Sequence, residues 1–332
     1  VLPLANNNAM HIMRAEVPGP TVGKIVPRAR QTARILYTIY LALTALETVL
    51  LLLGGMPLFD ALIHAFGTAG TGGFSNRALS VGAYNSPYIE WVIGIFLVLF
   101  SINFNLYYFA LCGAWKDALK DQELHLFGAI VLAATAIITL DAGRLFNGFF
   151  EAVRYAFFQV MSVLSTAGFA TTDFNLWPEI SRWVLVMLMF CGACAGSTGG
   201  GMKIGRVMLM GKAAHCEIRR LIRPRTVNRV MINGKAVDDD TIRGSLIFSF
   251  LYVLLLLVCT LVVSIDGFDM VTNFTASLSC LSNVGPGLGL VGPMGNFAMY
   301  SPLSKIVLTV AMLIGRLEVF PILILFSPSL WK

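Results

Sequence analysis

Three short stretches have the residue types to handle a bare cation: Thr71-Gly72-Gly73, Thr166-Ala167-Gly168 and Asn283-Val284-Gly285. Each reads Thr or Asn, any residue, then Gly, and none contains a carboxylate. Glycine permits backbone angles that other residues avoid, so successive main-chain carbonyls can turn toward one axis. Rings of such carbonyls replace the hydration shell of a cation. Without carboxylate donors the expected ion is monovalent rather than calcium.

A second stretch, Gly196-Ser197-Thr198-Gly199-Gly200-Gly201 followed by Met202 and Lys203, superficially suggests a phosphate-binding loop. The spacing fails, because Met202 separates Gly201 from Lys203 and Ile204 stands where Ser or Thr is required. Gly192-Ala193-Cys194-Ala195-Gly196 mimics a nucleophile elbow. No strand precedes it, no His or Asp is placed to assist, and no enzyme activity is read from either stretch. Small residues inside a membrane helix commonly serve close packing. Four glycines in the six residues from Gly196 to Gly201 exceed that need and favour an unwound, mobile segment beneath the cation loops.

Arg316 and Glu318 lie within an apolar run, where charge is expensive and faces a cavity or a partner. Two readings stand side by side: a structural ion pair near the cytoplasmic end, or Arg316 on the pore axis as a barrier to cations. His64 reads as a packing residue. Asp60 and Asp269 open short helices, where an acid suits the dipole. Six cysteines occur singly with no CxxC pair, indicating neither a zinc site nor a disulfide framework.

The elements that must position these residues follow from composition. The 332 residues are 57% hydrophobic and 13% charged, against about 25% charged in soluble domains. This is a membrane protein. Helices long enough to cross the hydrocarbon core, about 20 apolar residues, are expected over Ile35–Leu53, Ile89–Leu111, Leu126–Leu140, Leu246–Val263 and Ile306–Phe326. A further span, Trp183–Ala195 resuming at Met202–Lys212, is interrupted by the Gly-rich stretch. Each cation loop instead follows an apolar run too short to cross: Ala61–Phe66, Tyr155–Leu164 or Phe274–Leu281. The fold expected is all-α and polytopic, built from helix, re-entrant pore loop, helix.

Charge placement agrees. Ten of the 24 basic residues fall between Lys203 and Arg243, around a small hairpin expected over Val227–Val237 with Asn233-Gly234 at its turn. Segments 76–88, 141–147, 173–182, 264–270 and 290–301 carry only Arg77, Arg144 and Arg182. The positive-inside rule puts these outside and the basic stretch inside. Gly73 and Gly168 lie 95 positions apart, and Gly168 and Gly285 lie 117 apart. The module therefore occurs three times, over 35–125, 126–240 and 241–332, after a basic, proline-rich segment at 1–34.

At these residues the sequence resembles the Trk/Ktr/HKT potassium transporter superfamily, most closely its bacterial TrkH branch. The resemblance is carried by Arg14–Pro20, Thr71–Ser75, Ser165–Phe169, Gly192–Gly201, Asn283–Gly289, Gly315–Phe320 and Ser327–Trp331. It implies a potassium uptake pore in the bacterial inner membrane, with Gly73, Gly168 and Gly285 as selectivity-filter glycines. It further implies that Gly196–Gly201 and Lys203 form an intramembrane gate loop and that Arg316 faces the pore. Expected partners are a second copy of the chain and a cytosolic, TrkA-like regulatory ring. Any nucleotide belongs to that ring; potassium is the substrate, and no covalent cofactor is implied. The alternatives are a sodium-coupled Ktr-like transporter and a non-conducting membrane subunit. The family arranges four repeats around a pseudo-fourfold pore, so residues 1–15 are expected to end a first repeat lying upstream.

Overall fold

The computed structural model describes residues 29–223 and 229–317. Its crossing helices form where apolar runs continue without a Pro or Gly cluster: α1 (Ala29–Leu53), α6 (Gln122–Ala142) and α10 (Asp239–Val263). All three pass the length and hydropathy requirement for a membrane span. Their exposed side chains are apolar, among them Leu41, Leu46 and Leu53 on α1, Leu132 and Leu140 on α6, and Phe250, Leu257 and Leu261 on α10. In water such stripes would be costly; against lipid they are the expected outer surface. Polar residues start the latter two helices. Asp121 accepts the Leu124 N–H at 2.9 Å as N-cap of α6, and Asp239 and Asp240 occupy the first turn of α10.

After each crossing helix comes a shorter one: α2 (Leu58–Ala69), α7 (Phe149–Leu164) and α11 (Met270–Ser282). These are the pore helices expected from the short apolar runs, and each is followed by one of the three cation loops. More than half of the residues of each are buried. Every residue of α11 from Thr275 to Ser282 is buried, although six of these eight are Thr, Ser, Ala or Cys rather than large apolar residues. Small and hydroxylic side chains suit a helix surrounded by other helices, because their hydrogen bonds close locally. Thr275 Oγ1 accepts the Leu288 N–H at 2.9 Å, and Ser282 shares a 2.6 Å hydrogen bond with Tyr252 of α10.

Return helices complete the units, and those of the first two units are broken. The span expected as continuous over Ile89–Leu111 is instead two helices, α3 (Pro87–Ser101) and α4 (Phe104–Leu111), meeting at 88°. Asn103 explains the break: its side chain caps α4 by accepting the Asn105 N–H at 3.0 Å, a bond that competes with a continuing helix. In the second unit α8 (Glu179–Cys191) stops short of the expected Ala195, because Gly192 takes φ 66°. The helix resumes as α9 (Ile204–Ile222), ten residues beyond the expected end at Lys212. The last return helix is α12 (Pro302–Leu317).

Between the units lie α5 (Trp115–Leu119) and a two-stranded hairpin. The hairpin pairs β1 (Met231–Ile232) with β2 (Lys235–Ala236) antiparallel. Asn233 and Gly234 both have positive φ, as the tight two-residue turn requires. Most of segment 1–34, the rest of the final span with Glu318, and the closing 327–331 motif lie outside the described residues. One apolar core joins all three units, running from Leu51 and Phe100 through Phe169 and Leu188 to Leu256 and Leu281.

Candidate functional site

The three cation loops share one backbone. Thr71, Thr166 and Asn283 have φ of 50°, 62° and 60°, and the glycines two positions on, Gly73, Gly168 and Gly285, have 63°, 80° and 110°. Each loop folds its N–H groups back onto its own pore helix. Gly67 O accepts from Gly72 at 2.7 Å, Ser162 O from Ala167 at 3.0 Å and Ser279 O from Val284 at 2.9 Å. The N–H of each loop's last glycine goes the same way, to Gly67 O, to Ser162 O, and in the third loop to Ser279 Oγ at 3.0 Å. With the donors so committed, the carbonyls of all nine residues, 71–73, 166–168 and 283–285, accept no hydrogen bond among the described residues. The negative ends of the three pore helices add to the attraction for a cation.

The loops stand side by side. A Cβ added to Gly73 would lie 1.8 Å from Ala167 O, and one added to Gly168 would lie 2.0 Å from Val284 O. Each of these glycines thus abuts the carbonyl row of the next loop, while Gly285 meets nothing within 4 Å. Above them the outer segments are cross-tied. Asn175 exchanges two hydrogen bonds with Gly289, and Gly82 N–H reaches Ala170 O at 3.1 Å. Asp60 accepts from Tyr84 and Asn76 at 2.6 Å each and from Arg77 at 3.1 Å. The Tyr84 hydroxyl, then Asn76 and Arg77, hold the Asp60 carboxyl below its ordinary range. Asp269 caps α11, and the Thr272 hydroxyl at 2.5 Å lowers it likewise. His64 is a buried packing residue, as expected, bonded to Asp60 O at 2.7 Å and Ser75 at 3.0 Å and stacked on Phe169.

Thr71 and Thr166 are β-branched residues at positive φ, a strained choice. Their hydroxyls show why Thr stands there. Thr166 Oγ1 accepts the Gly200 N–H at 2.6 Å, and Thr71 Oγ1 lies 3.1 Å from Thr198 O. The Gly-rich stretch, unwound from Gly192 to Lys203, therefore hangs directly from Thr71 and Thr166. Arg316 Nη1 donates to the same Thr198 carbonyl at 3.1 Å, and Lys203 Nζ donates to Gly199 O. Between the two readings of Arg316, the described residues supply the loop carbonyl as its partner; Glu318 lies outside them. Asn283 differs, reaching Met312 O on α12 at 3.2 Å. The broken helix supplies the remaining ties. Its orphan carbonyls Ser101 O and Phe100 O receive the N–H groups of Cys194 and Thr198, and the Phe104 N–H donates to Gly196 O.

The structure brings residues 71–73, 166–168, 283–285 and 196–201 together with Lys203 and Arg316, and it adds two carboxylates that the sequence pattern did not single out. Glu123 Oε1, buried, accepts the Ala195 N–H at 2.7 Å and so joins α6 to the Gly-rich stretch. Glu47 of α1 is fully buried and faces Thr68 of α2, with no hydrogen bond to either carboxyl oxygen among the described residues. A charge inside or at the end of an apolar run was the available signal for both.

Comparison with known proteins fits this arrangement. The sequence profile of TrkH, described as a cation transport protein, matches residues 1–332. The chain belongs to the TrkH family. The Trk system potassium uptake protein TrkH of Salmonella typhimurium is 37% identical over 336 residues, spanning all of this chain and 69% of that protein. The Trk system potassium uptake protein TrkG of Escherichia coli is 34% identical over 337 residues, with the same coverage. The crystal structure of the potassium transporter TrkH from Vibrio parahaemolyticus superimposes with a TM-score of 0.86 at 35% identity. That match covers 98% of this chain and 69% of that one. The TrkH fold thus accounts for the repeated helix, re-entrant loop, helix units described above.

Proposed function

We propose that this chain is the pore-forming subunit of a potassium uptake system in the bacterial cytoplasmic membrane. Potassium sheds water and passes the main-chain carbonyls of residues 71–73, 166–168 and 283–285, and the 196–201 loop with Lys203 and Arg316 blocks the path below. The observation that carries this reading is the nine-carbonyl set: three loops with one backbone, their donors turned inward and their acceptors left for an ion. The names of the relatives supply the identity of that ion. Regulation by a cytosolic nucleotide-binding ring, on a homodimer, is supported by the exposed basic end of α9, with Arg219, Arg220 and Arg223. The test is rubidium flux into proteoliposomes carrying the complete gene product. Flux that survives Gly168→Ser unchanged would overturn the filter assignment.

A further inference from the structure

Two hydrogen-bonded groups join the cytosolic hairpin to the Gly-rich loop through three consecutive residues. At the hairpin turn Asn233 Nδ2 donates to Asp121 Oδ2 at 2.6 Å, and Asn233 Oδ1 accepts the Gln122 N–H at 3.0 Å. Lys212 of α9 fastens the same place, donating to Gln122 Oε1 and, at 2.8 Å, to Met231 O. The next residue, Glu123, turns into the protein and accepts the Ala195 N–H. Gly205, in the first turn of α9, stands so close that an added Cβ would lie 2.9 Å from the same Glu123 oxygen. One carboxylate therefore meets both stems of the loop, where it leaves α8 and where it enters α9. A carboxylate beside a helix N-terminus is held by the dipole as well as by the hydrogen bond.

We infer that Glu123 is the positioning residue that latches the Gly-rich loop in place, and that the Met231–Ala236 hairpin clipped to Asp121 and Gln122 is its cytosolic handle. Moving the hairpin shifts the first turn of α6, draws the carboxylate away from Ala195 and Gly205, and frees the loop beneath the filter. The inference rests on the gate reading given above for residues 196–201.

The loop holds its own reporter, because Cys194 is buried within it while Cys280 is buried in α11. Labelling of the reconstituted protein with a maleimide, resolved by peptide mass spectrometry, reads the two sites separately. Glu123→Ala is expected to speed Cys194 labelling about tenfold, as loss of a charge-assisted hydrogen bond allows, leaving Cys280 unchanged and raising basal rubidium flux. Glu123→Gln keeps an acceptor oxygen and falls between. Asn233→Ala is expected to speed Cys194 labelling less, and to add nothing in the Glu123→Ala background. Unchanged Cys194 labelling in Glu123→Ala, or a rise shared by Cys280, overturns the latch; additive effects of the two substitutions overturn the handle. Absence of rubidium flux in the unmodified protein counts against the pore function alone, since labelling still judges the latch.

Discussion

The cation loops and the Gly-rich loop are both glycine-dense breaks in helices, yet they are held in opposite ways. In the cation loops the backbone N–H groups bond back to the preceding pore helix, three to six residues away, as in Gly72 to Gly67. In the Gly-rich loop some bonds are local, such as Lys203 to Gly199, but most partners come from far along the chain: Phe100, Ser101, Phe104, Glu123, Thr71, Thr166 and Arg316. A segment closed by its own helix is rigid wherever that helix is packed. A segment closed by six other elements is only as fixed as their mutual positions. That difference is what the proposed division into a fixed filter and a movable gate requires.

The comparison breaks first at the glycines. Gly73→Ala and Gly168→Ala each force a side chain against a neighbouring carbonyl at 1.8 and 2.0 Å and a left-handed conformation costing about 1–2 kcal/mol. Rubidium flux is expected to fall more than about tenfold, since 1.4 kcal/mol is a factor of ten. A smaller fall in either would show that the loops are less tightly stacked than their backbones imply.

Arg316→Ala removes both the donor to Thr198 O and a positive charge near the loop. Basal flux is expected to rise severalfold with the relative preference among alkali cations unchanged, because the cation loops keep their local bonds. Lost preference would mean the two regions are not separable. Gly285→Ala sharpens the contrast within the filter. With no atom within 4 Å it bears only the cost of a side chain at φ 110°, about 1–3 kcal/mol of stability, visible as a lower melting temperature.

The smallest effect is expected at the outer rim. Asp60 and Asp269 are held below the ordinary carboxyl value by their hydrogen bonds. Their contribution to stability is present above the unfolded pKa, about 3.9, and is lost as pH falls from there through the lower folded values. Melting temperature should therefore be flat between pH 7 and pH 5 as far as these groups act, and decline below about pH 4. Asp60→Asn should shrink that decline; an unaltered acid profile would remove Asp60 from the account.

Sequence alone determined what is local. The Thr/Asn-x-Gly spacing, the short pore-helix runs and the Asn233-Gly234 turn all depend on neighbours within one helix or one turn, so residue type and spacing suffice to read them. The unwinding around Gly196–Gly201 was legible for the same reason. What required the tertiary structure was every decision made between distant segments. The span 89–111 is apolar enough to be continuous, and its 88° break is intelligible only when Gly196 and Cys194 are seen occupying the freed backbone groups of Phe104 and Ser101. Glu123 reads as an ordinary first-turn acid until α9 and the Gly-rich loop are placed beside it. A hydrogen bond across 72 positions leaves no periodicity in the chain, and only packing brings its two ends together.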